Sequence, residues 1–359
     1  MSKLKVAFIG LSHIHLSNLS ADFYKESDRV ELLGAAEYPP FTKEEVEIKC
    51  SLNLNKRFDI KIWDDYKELL DMKPDIAVVC STVSQHADIA TETLSRGIQT
   101  ILEKPMAMTM DDAKRMYKAY KNSTAELIIN WPIAWFPAFN LAKKLADEGK
   151  IGKIHRVHYR GPSTRGPYKL GEYSDEFLSK LWWYKKEEGG GAISDYAGYG
   201  CVLSTWITGK TAKKVYALSK NFFLPFSDVD DYSVFTIDFG DSVGLVEGSW
   251  STMSNGEVPT GPVIFGSEGV IVADRFDTKV KVYKTFIPYV KTPEPEEVYD
   301  TPSPDGYICK NVLGFLLEGK PLHEMVTADF NMRVMAAFDA GVRSADSEKA
   351  EEAFDPFEI

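Results

Sequence analysis

The chain has 359 residues, 44% of them hydrophobic, enough for two domains with sizeable cores. A formal charge of -11 and a pI of about 5.2 argue against nucleic acid or an anionic membrane surface as the general partner, which leaves small molecules. Cys50, Cys80, Cys201 and Cys309 show no C-x-x-C spacing, so neither a disulfide framework nor a thiolate metal site is expected, and a reducing cytoplasm fits.

Leu4 to Ile9 is an apolar run that reaches Gly10 too soon for a signal peptide, and no stretch approaches the ~18 apolar residues of a membrane span. A helix follows from about Ile14 to Glu26, with apolar residues at helical spacing. Strands are predicted at Val30 to Glu37, Asp75 to Ser81, Ile98 to Leu102 and Glu126 to Asn130, with helices such as Asp88 to Ser95 and Asp111 to Tyr120 between them. That alternation implies a Rossmann-type, doubly wound parallel sheet. From Ile151 the texture changes to long strands at Lys153 to Tyr159, Lys214 to Ser219, Ser233 to Phe239, Val243 to Ser249 and Val263 to Val272. Most connect without a helix, so the fold class is α/β, with a C-terminal α/β domain on a large, mainly antiparallel open sheet. Thr292 to Asp305, rich in proline and acid, reads as a surface loop, and Ala328 to Ser344 as a long helix. The division expected is 1–128 for dinucleotide binding and 129–359 for substrate binding and oligomerisation.

Gly10-Leu-Ser12-His13-Ile14-His15 stands where a dinucleotide-binding G-x-G-x-x-G belongs, with only its first glycine present. Gly10 permits the tight turn, Ser12 adds a hydroxyl, and the amides of this helix start attract phosphate. His15 is too large for close packing of helix on strand unless it points outward. Glu37, 27 positions after Gly10, ends the second strand, where a carboxylate accepts from an adenosine ribose and repels a 2′-phosphate. NAD is therefore expected, with NADP disfavoured, although Lys43 lies nearby. His13-x-His15 also begins metal sites of barrel hydrolases, but such a site needs further ligands. His155 and His158, three apart in a strand, face opposite ways, so no metal is expected. Glu103-Lys104-Pro105 places an amine at the carboxyl end of a parallel strand, where open α/β sheets bind ligands.

Three motifs in order resemble the glucose-fructose oxidoreductase/inositol dehydrogenase/MocA-like (Gfo/Idh/MocA) oxidoreductases. Ser81-Thr82-Val83-Ser84-Gln85-His86 is similar to the family's T-P-N-x-x-H, and Glu103-Lys104-Pro105 to its E-K-P. Gly189-Gly190-Gly191-Ala192-Ile193-Ser194-Asp195-Tyr196-Ala197-Gly198-Tyr199 resembles its G-G-G-A-L-x-D-x-G-x-H/Y. The resemblance covers nearly the whole chain. It adds Ser81, Thr82, His86, Glu103 and Lys104 to the cofactor-binding set of Gly10, Ser12, His13, Ile14, His15 and Glu37. It also implies that Lys104, Asp195 and Tyr199 converge beside the nicotinamide as the catalytic group. Tyr199, where many relatives carry histidine, resembles the glucose-fructose oxidoreductase and dihydrodiol dehydrogenase branch. Ala197 replaces a usual glycine, and Ala134-Trp135-Phe136-Pro137 lacks the arginine of Arg-Phe-x-Pro.

Hydride transfer at an alcohol carbon needs a positioned acid/base, for which Tyr199 is the candidate, with Lys104 expected to lower its pKa and polarise the substrate oxygen. Asp195 is expected to orient the ligand. The implied activity is NAD-dependent oxidation or reduction of a sugar, cyclitol or related polyol. The alternative is a non-catalytic, nucleotide-sensing regulatory protein of the same fold. Trp131, Trp135, Trp182, Trp183 and Tyr184 are candidates to pack on a sugar face or in the core, and Arg165 and Lys169 to meet a carboxylate or solvent. The open sheet needs cover on one face, so a homodimer or homotetramer is expected.

Overall fold

Short, almost wholly apolar strands alternate with helices through the first third of the chain, and each strand pairs in parallel with its neighbours. A computed structural model describes residues 3–39, 60–162, 166, 173–252, 260–275, 277–284, 294–304 and 306–358. β1 (Leu4–Ile9), α1 (Leu16–Lys25), β2 (Val30–Ala36), β3 (Ile62–Trp63), α2 (Tyr66–Asp71) and β4 (Ile76–Val79) come first. α3 (His86–Ser95), β5 (Gln99–Glu103), α4 (Met110–Lys121) and β6 (Leu127–Asn130) follow. The strands form a six-stranded parallel sheet in the order β3-β2-β1-β4-β5-β6. β4 and β6 are buried at every position, as strands covered on both faces must be. The order changes direction between β1 and β4, and the crevice beyond the carboxyl ends there is where such sheets bind ligands.

After α5 (Pro137–Asp147), β7 (Ile154–Pro162) and α6 (Gly198–Thr208) open the second layer. β8 (Lys214–Lys220), β9 (Tyr232–Asp238), β10 (Val243–Ser249), β11 (Val263–Gly266), β12 (Gly269–Val272), β13 (Lys279–Tyr283) and β14 (Glu297–Asp300) build its sheet. α7 (Ile308–Glu318), α8 (Ala328–Ser347) and β15 (Glu351–Glu352) complete the described chain. The nine-stranded order is β14-β13-β12-β11-β7-β10-β9-β8-β15, antiparallel except where β7 meets β10. Period-two alternation divides the faces. Val215, Phe235, Ile237, Val246 and Val157 are buried on the side carrying α6 and α8, whereas Val234, Leu245, Val263 and Phe265 on the other side are only partly buried.

Two expected elements differ. Val263 to Val272 is not one strand but the hairpin β11–β12, because the chain reverses at Ser267-Glu268 between two glycines. Part of the expected loop from Thr292 to Asp305 is the strand β14, whose Glu-Val-Tyr-Asp alternation pairs with β13 once β13 offers an edge. Residues 292, 293 and 305 lie outside the described residues. No helix among those described is long and apolar enough to cross a membrane.

α8 holds the two layers in register. Its Asn331 Oδ1 accepts from Trp131 Nε1 at 2.7 Å, and Asp329 Oδ1 accepts from Tyr117 Oη at 2.5 Å. Asp339 Oδ1 accepts from the backbone N–H of Met110 at 2.8 Å, so a carboxylate of the last long helix caps the amino end of α4. Arg343 pairs with the other oxygen of Asp339 at 2.8 Å. Asp339→Ala leaves a buried N–H without an acceptor and is expected to cost about 1–3 kcal/mol in urea unfolding. Asp339→Asn keeps an acceptor and should lose less. Equal losses in the two variants would remove the cap from the account.

Candidate active site

The turn after β1 is shaped by Gly10, at φ +80°, because a Cβ there would lie 2.5 Å from the backbone nitrogen of Ser81. Gly10 N–H donates to Ala36 O at 2.8 Å, and His13 N–H to Cys80 O at 3.0 Å, which ties the turn to β2 and to the end of β4. Glu37 lies across the turn. Its Oε2 accepts from Leu11 N–H at 3.1 Å and from Ser12 Oγ at 3.3 Å. Trp182 Nε1 donates to Ser12 O at 2.8 Å, so the second domain clamps the turn from its other side.

Ser81 and Thr82 are fully buried beneath this turn. His86 is also buried, with Nδ1 3.1 Å from Pro105 O and 3.3 Å from Met106 O. It braces the segment that follows Lys104. Glu103, at the end of β5, is 1% exposed and receives Asn130 Nδ2 at 2.7 Å on Oε1. Its Oε2 receives the backbone N–H of Lys104 at 3.2 Å and lies 3.2 Å from His15 Nδ1. Burial disfavours the charged form of Glu103, but the hydrogen bonds from His15 and Asn130 prevail, holding its pKa well below the usual carboxylate range.

Lys104 is 2% exposed, and its Nζ reaches Asp195 Oδ1 at 2.5 Å and Asp195 O at 3.2 Å. Trp250 Nε1 donates to Asp195 Oδ2 at 2.9 Å. Asp195 sits in a π-helical turn, Ile193–Ala197, which runs into α6 and carries Tyr199 in the first turn of that helix. The π turn starts where Asp230 Oδ2 accepts from Ile193 N–H at 2.9 Å. Asp230 can approach because Gly191, at φ +103°, has no Cβ, which would otherwise meet Asp230 Oδ1 at 2.5 Å.

A cavity of about 180 Å³ lies where the carboxyl ends of the first sheet face the second domain, and Ile14, His15, Phe136, Asp195, Tyr199 and Arg275 are among its walls. A hollow of about 880 Å³ near Pro74 and Gln99 opens at the opposite end of the strands, away from these groups. Lys104 lies beneath the cavity and acts on it through Asp195. Its ammonium is 4.9 Å from the centre of the Tyr199 ring and over its face. The expected lowering of the Tyr199 pKa is therefore reversed. Burial, then the negative charge of Asp195, pushes that phenol well above its ordinary value, because the ammonium is already paired with the carboxylate.

Asn130, Tyr159, Tyr196, Trp250 and Arg275 were not legible as site residues. Asn130, a polar residue closing an apolar strand beside Glu103, and Tyr196, directly after Asp195 in the glycine motif, carried signals that were available; the others come from distant loops and strands. Trp131, Trp182, Trp183 and Tyr184 are core aromatics, each at most 2% exposed, and Trp135 is partly buried. Lys43, Arg165 and Lys169 lie outside the described residues.

His13, His15 and Glu103 bring three donor atoms within 4.8 Å of one another, a spacing that invites a metal reading. The backbone N–H of His15 donates to His13 Nδ1 at 3.2 Å, so the neutral His13 ring carries its proton on Nε2, the atom that would have to ligate. Burial keeps His13 neutral, its pKa well below the imidazole range.

A Rossmann sheet, a phosphate-type turn and a lysine–aspartate pair at its carboxyl edge are the features of a dinucleotide-binding fold. The chain belongs to the Gfo/Idh/MocA family. Its oxidoreductase, NAD-binding Rossmann fold matches residues 4–130, and the GFO/IDH/MocA C-terminal domain matches 139–272. Levoglucosan dehydrogenase of Pseudarthrobacter phenanthrenivorans is 31% identical over 216 residues, which is 59% of this chain and 49% of that protein. Inositol 2-dehydrogenase of Salmonella typhimurium is 28% identical over 139 residues, 36% of this chain and 41% of that protein. The match therefore spans about half or less of these relatives' length. The WlbA dehydrogenase of Chromobacterium violaceum, solved with NADH and UDP-GlcNAcA, shares the fold at TM-score 0.77 and 17% identity, over 98% of this chain and 96% of that one. The aldose-aldose oxidoreductase of Caulobacter crescentus does so at TM-score 0.75 and 18% identity, over 98% and 100%.

His86 makes the site sensitive to acid. Burial lowers its pKa from 6.5 to about 4, against the carbonyls that favour the charged form. Because the folded value lies below the unfolded one, this contribution to stability is complete above about pH 6.5 and is lost as pH falls toward 4, about 3 kcal/mol in all. His86→Asn, still a donor to the Pro105 carbonyl, should flatten the decline in unfolding free energy across that window. An unchanged slope would assign the decline to other groups.

Proposed function

We propose that the protein is an NAD-dependent oxidoreductase that moves hydride between the nicotinamide and a CH–OH carbon of a sugar, cyclitol or related polyol. The observation that carries this reading is the pair of buried Lys104 and partly buried Asp195, 2.5 Å between Nζ and Oδ1, at the floor of a cavity that also holds Tyr199 and adjoins the Gly10 turn. The residues fit a dinucleotide. Gly10 permits the tight turn, because a Cβ there would strike Ser81, and Glu37 faces the same turn with a carboxylate suited to ribose hydroxyls and repellent to a 2′-phosphate. NAD(H) is thus preferred to NADP(H). When bound, the nicotinamide supplies the hydride chemistry.

Asp195, held by Lys104 and Trp250, retains acceptor capacity for a substrate hydroxyl. Tyr199, kept as a neutral phenol, donates to the substrate oxygen. Lys104 fixes Asp195 and sets a positive charge beneath the developing oxyanion. Residues 1–128 serve the cofactor and 129–359 the substrate. Relatives named for levoglucosan and inositol support a polyhydroxylated, ring-shaped substrate.

Lys104→Met should lower turnover by about 10²-fold or more while NADH binding, followed by fluorescence, stays largely intact. Undiminished turnover would sink the assignment. A panel of levoglucosan, inositols and aldoses, read as NADH formation, separates this reading from a nucleotide sensor, which would bind NADH tightly and turn over nothing. The partly buried Val234, Leu245, Val263 and Phe265 on the open face of the large sheet support pairing of subunits there. Light scattering at micromolar concentration should give a dimer or tetramer; a monomer contradicts it.

A further inference from the structure

His15 stands where a dinucleotide turn ordinarily has its third glycine, yet its side chain is directed away from the helix–strand contact. The side chain is 26% exposed and walls the same cavity as Asp195 and Tyr199, while Nδ1 lies 3.2 Å from the fully buried Glu103 carboxylate. A carboxylate can only accept, so the neutral ring places its proton on Nδ1 and its lone pair on Nε2. Nε2 makes no hydrogen bond to any described residue. Glu103 is itself held by Asn130 and by the Lys104 N–H, so it orients the ring without freedom to turn away. A buried carboxylate behind Nδ1 and an exposed lone pair on the opposite ring nitrogen are the parts of a general base.

We infer that His15, braced by Glu103, is the general base that takes the hydroxyl proton of the substrate alcohol. The inference rests on the oxidoreductase reading. In oxidation, the alcohol O–H bond breaks and its proton passes to His15 Nε2. The C–H hydrogen leaves with both electrons to NAD⁺, so the alcohol carbon is oxidised to a carbonyl and the dinucleotide is reduced. The imidazolium then faces the Glu103 carboxylate until it loses its proton to solvent. Tyr199, its phenol retained, donates to the same oxygen and stabilises its developing charge. The groups around the ring are His13, with ring centres 4.6 Å apart, Glu103, and, across the cavity, Asp195, Tyr159, Tyr196, Tyr199 and Arg275.

The test uses the full chain with the panel compound that wild type oxidises fastest. His15→Ala should lower kcat by about 10²–10³-fold and abolish the acidic limb of the pH–rate profile, with NADH affinity by fluorescence within about threefold of wild type. Added imidazole should restore part of the rate. A variant that turns over within threefold of wild type with an unchanged profile overturns the inference. So does parallel loss of NADH binding, which would make His15 a cofactor-turn residue, and so does wild-type activity removed by chelator and restored by a divalent cation. Nitrogen NMR of the protein at high pH gives a readout independent of turnover: a proton on Nδ1 of His15 is expected, and one on Nε2 overturns the role. Wild type inactive on the whole panel would instead sink the oxidoreductase reading.

Discussion

A charge removed from water must meet its counter-charge inside the protein, and here two consecutive side chains, Glu103 and Lys104, are both buried at the end of one strand. Their successive positions send them to different partners. Glu103 gathers His15 from the turn after β1 and Asn130 from the end of β6, whereas Lys104 reaches across to Asp195 in the second domain, which Trp250 secures from the end of β10. Two charges on one strand end thus draw together the phosphate-type turn, the first sheet and the entrance to α6. Breaking either pair would leave an uncompensated charge in the interior.

The surrounding scaffold makes that convergence rigid. Trp182 from the second domain donates to the turn at Ser12, and the Trp182 and Trp183 rings lie 5.8 and 5.0 Å from His13. On the far side, α8 links the two layers through Asn331, Asp329 and Asp339. The aromatic residues that stand near the motifs in sequence therefore act chiefly as mortar between domains. The cavity walls come from the motif segments themselves, through Phe136 and Tyr196, and from the second sheet and its loops, through Tyr159 and Arg275.

The same pairing explains why the phenol of Tyr199 resists ionisation. An isolated ammonium beside a phenol favours phenolate, but an ammonium already bonded to a carboxylate contributes little net field, and burial then decides. In the proposed reaction the lysine–aspartate pair serves better to hold a substrate hydroxyl than to sharpen a tyrosine base. The proton chemistry is there assigned to a side chain whose counter-charge is its own, and Glu103 supplies one to His15.

How much of this was legible depended on the range of the forces involved. β1, β2 and β10 were readable because apolar runs and period-two alternation are local records of burial, and Gly10, Lys104, Asp195 and Tyr199 because their motifs are contiguous. The hairpin at Ser267-Glu268 and the strand Glu297–Asp300 were harder, since a two-residue turn between glycines and an acidic edge strand carry weak local signals. Sequence by itself determined the Rossmann alternation, the second open sheet, the motif residues and the acidic Glu37 at the end of the second strand. Only tertiary structure decided that His15 meets Glu103, that Trp250 completes Asp195 and that the Tyr199 phenol is held neutral. Those outcomes depend on distances between groups far apart in the chain and on the absence of water around them, neither of which any local pattern of residues records.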